Sequence, residues 1–155
     1  MKHTDETLAN MIARRFCRWG HSGRSTGLVR DLTDHESSVV EANLDLELGE
    51  EIVIIAVNSP DAWSALTTRR LICLNASGRL SIRWASIANV DADPSLGDDM
   101  LREDFLTRIS RLQITTTSGE RVIVETEPGP PCVGFWNALR LAQQLSGTEK
   151  RGRES

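Results

Sequence analysis

From residue 50 onward the apolar residues recur with a period of two, in the short runs EIVIIAV, TRRLICLN, RLSIRW, IANVDAD, LQITTTS and RVIVETE. Each run is bounded by Gly, Pro, Asn, Asp or Ser, so the chain is committed to about six strands joined by hairpins. An antiparallel sheet follows. The turns NASGR and TTSGE each place glycine last in a three-residue loop, where a left-handed residue closes a bulged hairpin. With Ala76 to Gly78 as the loop, Asn75 faces Arg79, and Arg70, Ile72 and Leu74 share one face with Leu80, Ile82 and Trp84. A two-residue loop would set Arg70 against Arg83, a like-charge pair that disfavours it. In the second hairpin, Thr117 to Gly119 as the loop puts Leu112 and Ile114 opposite Val124 and Val122, and Arg111 opposite Glu125.

Helical signals flank these strands. Thr4 can cap a helix that carries Asp5 and Glu6 in its first turn, apolar residues from Leu8 to Trp19 at helical spacing, and an end near Gly20. GHSGRSTG then reads as a plain loop, because it lacks the G-x-x-x-x-G-K-[ST] spacing of a phosphate cradle. The capping box TDHE at Thr33 to Glu36 predicts a second helix over about 34 to 44. Between the hairpins, DPSLGDDMLREDFLTR is an acidic insertion, read as a loop with a short helical turn. The final helix has Pro131 in its first turn, a stripe of Phe135, Trp136, Leu139, Ala142 and Leu145, and a stop at Gly147. The organisation expected is a helical extension over 1–46, a β domain closed by a helix over 47–147, and a disordered tail over 148–155. The expected core is Ile52, Ile54, Ile72, Leu74, Leu80, Ile82, Trp84, Leu112, Ile114, Val122, Val124, Trp136 and Leu139.

LTTRRLICLN followed by IRWASIANVDAD resembles the bacterial pleckstrin-homology-like and GRAM-like domains. Leu66, Thr67, Arg70, Leu71 and Ile72 match the family's L-T-x-x-R-L-I, and Trp84, Ile87 and Val90 match its W-x-x-I-x-x-V. The resemblance spans residues 47 to 146. It implies an α+β, mainly antiparallel fold, a curled sheet or split barrel capped by the C-terminal helix with Trp136 as its plug. It also implies binding in place of catalysis. Members that hold lipid headgroups carry cations along the first strand and its loop, whereas IVIIAV and NSPDAWS contain none and one acid, Asp61.

The candidate binding residues are cationic. Arg14, Arg15, Arg18 and Trp19 lie on the first helix, where arginines beside aromatics could meet an anionic membrane surface. Arg69, expected to point outward, and Arg83 are the other candidates, while Arg70 is expected to stack on Trp84 as part of the scaffold. No metal or cofactor site is expected. DADPSLGDDMLR begins like a calcium loop with Asp91 and Asp93, but has Leu96 in place of glycine and Arg102 in place of glutamate. His3, His21 and His35 form no ligand pair, and neither Ser22 nor Cys17 sits in a nucleophile motif.

Charge narrows the partners. The net charge is -4, yet residues 1 to 30 hold six Lys+Arg against two acids, and residues 31 to 50 hold seven acids and no Lys or Arg. Such a balance excludes nucleic acid as a main partner. The three scattered cysteines, Cys17, Cys73 and Cys132, fit a reducing, cytoplasmic setting. The N-terminus lacks signal-peptide character, and no run is long enough to span a bilayer. The expectation is therefore a non-enzymatic cytoplasmic interaction module, self-associating or protein-binding, with no small-molecule substrate. The alternative is a peripheral membrane adaptor that binds anionic lipid through its Arg-rich first helix.

Overall fold

The computed structural model describes residues 3–93 and 105–154, with side chains described to residue 147 and those of the second stretch beginning at residue 106. Its described elements are α1 (Asp5–Trp19), β1 (Thr26–Leu28), α2 (Asp34–Glu41), β2 (Ile52–Ser59), β3 (Ala62–Thr67), β4 (Arg70–Asn75), β5 (Gly78–Arg83), β6 (Ile87–Ala92), α3 (Phe105–Arg108), β7 (Arg111–Thr116), β8 (Arg121–Glu125) and α4 (Pro130–Glu154). Strands β1 to β5 form one antiparallel sheet in sequence order, and β6, β7 and β8 form a second. The architecture is α+β, and the two sheets do not close into a barrel.

Two strands escape the periodicity. β3 alternates Trp63 and Ala65 with Ser64 and Leu66, all buried, so both of its faces are covered and no polar face marks it as a strand. β1 is only three residues, too short to show a period, and it pairs with Ile54 to Ala56 of β2.

The second hairpin has the expected register, with Arg111 opposite Glu125, Leu112 opposite Val124 and Ile114 opposite Val122. The first does not. Asn75 pairs with Gly78 across a two-residue turn, and Arg70 does lie opposite Arg83. The Ser77 N–H donates to Asn75 Oδ1 at 2.8 Å, which holds the tight turn, and Gly78 takes φ +115 to leave it. Every partner on β5 moves by one residue, so the side chains change faces. Leu71, Cys73, Leu80, Ile82 and Trp84 now pack inward, while Ile72 and Leu74 face the opposite side of the sheet.

Two cores result. The larger is shared by both sheets, α4 and α1, and includes Phe16, Ile54, Leu71, Val90, Ile114, Val124 and Phe135. The smaller lies under α2, where Val40 covers Ile55, Trp63, Ala65 and Ile72, with Ile52 and Leu74 half-buried at its margin. Trp136 is only half-buried: its Nε1–H donates to the Val90 carbonyl at 3.1 Å, and Phe135 is the aromatic that α4 fully buries. The expected plug is thus displaced by one residue.

Two helix boundaries and one cap differ from the sequence reading. α1 begins as read, with the Thr7 N–H donating to Thr4 Oγ1, but the Thr33 hydroxyl caps nothing and α2 ends at Glu41. α4 passes through Gly147 and continues to Glu154, so the tail is helical. No proline follows Pro131, and nothing interrupts the i→i−4 bonds. α1 packs along α4, which joins the N-terminal segment to the larger core.

Candidate functional site

The segment Asp45 to Glu50, between α2 and β2, brings carboxylates against the arginines of β4 and β5. Glu50 is fully buried. Its carboxylate accepts from Arg70 Nε at 2.9 Å and Nη2 at 3.0 Å, from the Thr67 hydroxyl at 2.5 Å and from the Glu47 N–H at 2.9 Å. Arg70 Nη2 also donates to the Asp45 carbonyl at 2.7 Å. This forked geometry suits a planar guanidinium far better than an ammonium.

Arg69 forms a second fork. Its Nε and Nη2 donate to Asp5 at 3.1 and 2.9 Å, its Nη1 to Glu47 at 3.1 Å, and its Nη2 to the Leu48 carbonyl at 2.7 Å. The Thr68 hydroxyl also donates to Asp5, at 2.7 Å. Arg83 completes the row by donating from Nη1 to Glu47 Oε1 at 3.0 Å and from Nη2 to Glu47 Oε2. Asp5 belongs to the first turn of α1, so this chain of ion pairs ties α1, the 45–50 segment and the sheet together.

The outward Arg69 and the stacked Arg70 are therefore both corrected. Arg69 and Arg83 share Glu47, and Arg70 meets Glu50 in place of the Trp84 ring. Flanking carboxylates also remove the cost of facing Arg70 with Arg83, which is why the two-residue turn is tolerated. A cleft of about 430 Å³ lies here, lined by His3, Asp5, Glu47, Arg69, Arg83 and Trp84 among others. Its cations already hold carboxylates of the same chain.

The remaining candidate residues do not converge. Arg14 is exposed, Arg15 half-buried, and Arg18 lies 5.5 Å from the centre of the Trp19 ring, which is 55% exposed. Ile12 and Phe16, the apolar stripe of α1, are spent on the larger core. Among the described residues, then, this helix offers a membrane one indole and no apolar face.

The loop GHSGRSTG holds an anion after all, and the chain supplies it. Glu127 Oε1 accepts from the Ser25 and Thr26 N–H groups, at 2.5 and 2.7 Å, and the Glu127 N–H donates to Thr26 Oγ1 at 2.9 Å. Successive backbone donors form a small nest for a carboxylate. Glu127 stands about a hundred positions away in sequence, so the reading of this stretch as a plain loop missed both the nest and its occupant. Asp5, Glu47 and Glu50 were likewise missed. The one available signal was the acidic run at 31 to 50, which had to be neutralised by cations elsewhere.

These pairings move the titrations of the carboxylates. Hydrogen bonds from Arg83 and then Arg69 hold Glu47 at about 2, below its ordinary 4.5. Burial pushes Glu50 up, but the bonds from Arg70, Thr67 and the Glu47 backbone outweigh it and leave Glu50 lowered. At Glu127 burial is again opposed and overcome, by the N–H groups of Ser25, Thr26 and Arg24. A carboxylate whose folded pKa is depressed contributes stability that is complete above its unfolded pKa and disappears as pH falls through the folded one. The melting temperature is therefore expected to hold steady above about pH 5 and to fall steadily below pH 4.5. A Glu47→Gln variant should show a shallower acid fall in the same thermal melts.

The two buried thiols are poor nucleophiles. Burial pushes Cys73 and Cys132 up to about 11, and only Cys17 is exposed. An aromatic disulfide reagent is expected to titrate one thiol in the native chain and three in guanidinium. Two fast native thiols would show that a buried site opens. Among the described residues no group of three His, Cys, Asp or Glu could hold a metal ion, and no helix is long and apolar enough to cross a membrane. The calcium-like stretch runs on from Asp93 outside the described residues. Comparison with protein-family models, curated proteins and solved structures returned no match.

Proposed function

We propose that this chain is a non-catalytic protein-interaction module of pleckstrin-homology-like build, working in a cytoplasmic setting. Four consecutive antiparallel strands, β2 to β5, followed by three more and a closing helix, support that likeness. The observation that carries the functional reading is where the polar groups go. The arginines Arg69, Arg70 and Arg83 and the acids Asp5, Glu47, Glu50 and Glu127 are engaged by one another or by backbone, as struts of the fold. Lipid headgroups need several converging free donors, and these arginines have turned theirs on carboxylates and carbonyls of the same chain. A strand edge, in contrast, binds through its backbone and needs no special side chain.

Light scattering of the full chain across a wide concentration range, run beside sedimentation with phosphatidylserine-rich vesicles, tests this reading. A mass that rises above 17.2 kDa with concentration assigns the contact to a second copy, and a constant mass assigns it to another protein. Vesicle binding that falls with added salt would overturn the protein-contact reading in favour of a peripheral membrane adaptor.

A further inference from the structure

The four strand edges of the two sheets are treated unequally. At β1 the loop folds back, with the Gly23 N–H donating to the Thr26 carbonyl, and Glu127 takes the Thr26 N–H. At β6, Trp136 and Gln143 of α4 donate to the carbonyls of Val90 and Ala88. At β8, Asn58 Nδ2 donates to the Glu125 carbonyl. β5 has no such guard among the described residues.

The phase of its ladder says which groups are left. The Trp84 N–H donates to the Arg69 carbonyl at 3.2 Å, and the register pairs Leu71 with Ile82 and Cys73 with Leu80, so those residues exchange bonds with β4. Arg79, Ser81 and Arg83 alternate with them and turn their N–H and C=O groups outward from the sheet. Beside this edge runs a groove of about 550 Å³ whose opposite wall is the start of β8, with Arg79 and Leu80 on one side and Arg121 and Val122 on the other.

We infer that the β5 edge is the docking site for an extended acidic segment of a partner protein, which adds as a sixth strand and sets its carboxylates between Arg79 and Arg121. This deepens the interaction-module reading and rests on it. Charge selects the occupant. Arg79 spends one donor on the Asn43 carbonyl, and Arg121 stands exposed across the groove; Glu120 beside it leaves the lining with an excess of positive charge. An alternating segment with an acid at every second position meets those cations on one face and lays apolar residues toward Leu80 and Val122 on the other. A second copy fits poorly. In full antiparallel overlap about Ser81, Arg79 of each chain would meet Arg83 of the other, and the Glu47 beside that Arg83 is already shared between Arg69 and Arg83, so a second copy brings no free acid to the groove.

The test uses the full chain and a fluorescent, end-blocked peptide of alternating valine and glutamate, with a valine–lysine peptide as comparator. The glutamate peptide is expected to bind with slowed amide exchange at Arg79, Ser81 and Arg83. Arg79→Glu and Arg121→Glu should each weaken it about fivefold. Ser81→Pro should abolish binding while keeping the fold, because the lost N–H serves no bond to β4; the two charge reversals decide the matter if that variant does not fold. Equal binding of the lysine peptide, protection at other amides, or no binding overturns the inference. Protection of β5 that grows with protein concentration and no peptide assigns the edge to a second copy, which also overturns it. Self-association with β5 amides unprotected and no glutamate peptide bound sinks the docking site yet leaves the module standing, whereas salt-sensitive uptake by vesicles sinks the module itself.

Discussion

Gly20→Ala is expected to lower stability by about 3 kcal/mol, or roughly 10 °C in melting temperature. Gly20 ends α1 where that helix meets the start of α4. A Cβ placed there would lie 2.2 Å from the Pro130 carbonyl oxygen, 2.7 Å from the Gly134 nitrogen and 2.9 Å from the Gly134 Cα. All three are backbone atoms, and none can rotate away. The cost is one of space: φ at Gly20 is −155, extended backbone that any residue adopts. Relief requires α1 to lift from α4, which uncovers Phe16 and Ile12 in the larger core. Gly134→Ala should cost less, because part of its clash is with the Phe16 ring at 2.8 Å, and a side chain can shift. Gly147→Ala is the internal control. Nothing stands within 4 Å of its added Cβ, so alanine should stabilise the helix by about 0.5 kcal/mol. Paired thermal melts of the three variants check the order, and a harmless Gly20→Ala would show that the two helices do not meet this closely.

Arg70→Met carries the other large effect, a loss of about 4 kcal/mol near neutral pH. The side chain of Arg70 is 12% exposed and that of Glu50 is 0% exposed, so the substitution strands a carboxylate that burial already disfavours. The pH dependence identifies the cause. In the parent chain the lowered Glu50 contributes stability above pH 4.5 that acid removes. Without Arg70, burial prevails and the folded pKa rises above the unfolded one, so protonation favours the folded state and the variant's deficit narrows as pH falls. Adding Glu50→Leu to Arg70→Met should recover most of the loss, since an apolar pair of similar volume avoids the desolvation of both ions. Urea melts at neutral and mildly acidic pH measure all three values. A deficit that is the same at both would mean that Arg70 stabilises by packing alone.

How legible each part was depended on the distance over which it is decided. The second hairpin, the start of α1 and the amphipathic run of α4 follow from contacts within a few residues, and the structure has them where the sequence puts them. The first hairpin obeyed the same local logic and the logic failed. Its turn chemistry admitted two registers, and the one excluded for opposing Arg70 with Arg83 is the one adopted.

What the amino-acid sequence determined by itself is the alternation that demands antiparallel strands, most of their positions, and the helix that closes the chain. Which face each residue of β4 and β5 presents, which anion fills the loop at Ser25 and Thr26, and whether any arginine is free were decided only by the tertiary structure. The reason is electrostatic. The energy of a guanidinium or an unpaired N–H depends on the carboxylate that reaches it, and here Glu50, Glu47, Asp5 and Glu127 arrive from 20, 36, 64 and 101 positions away.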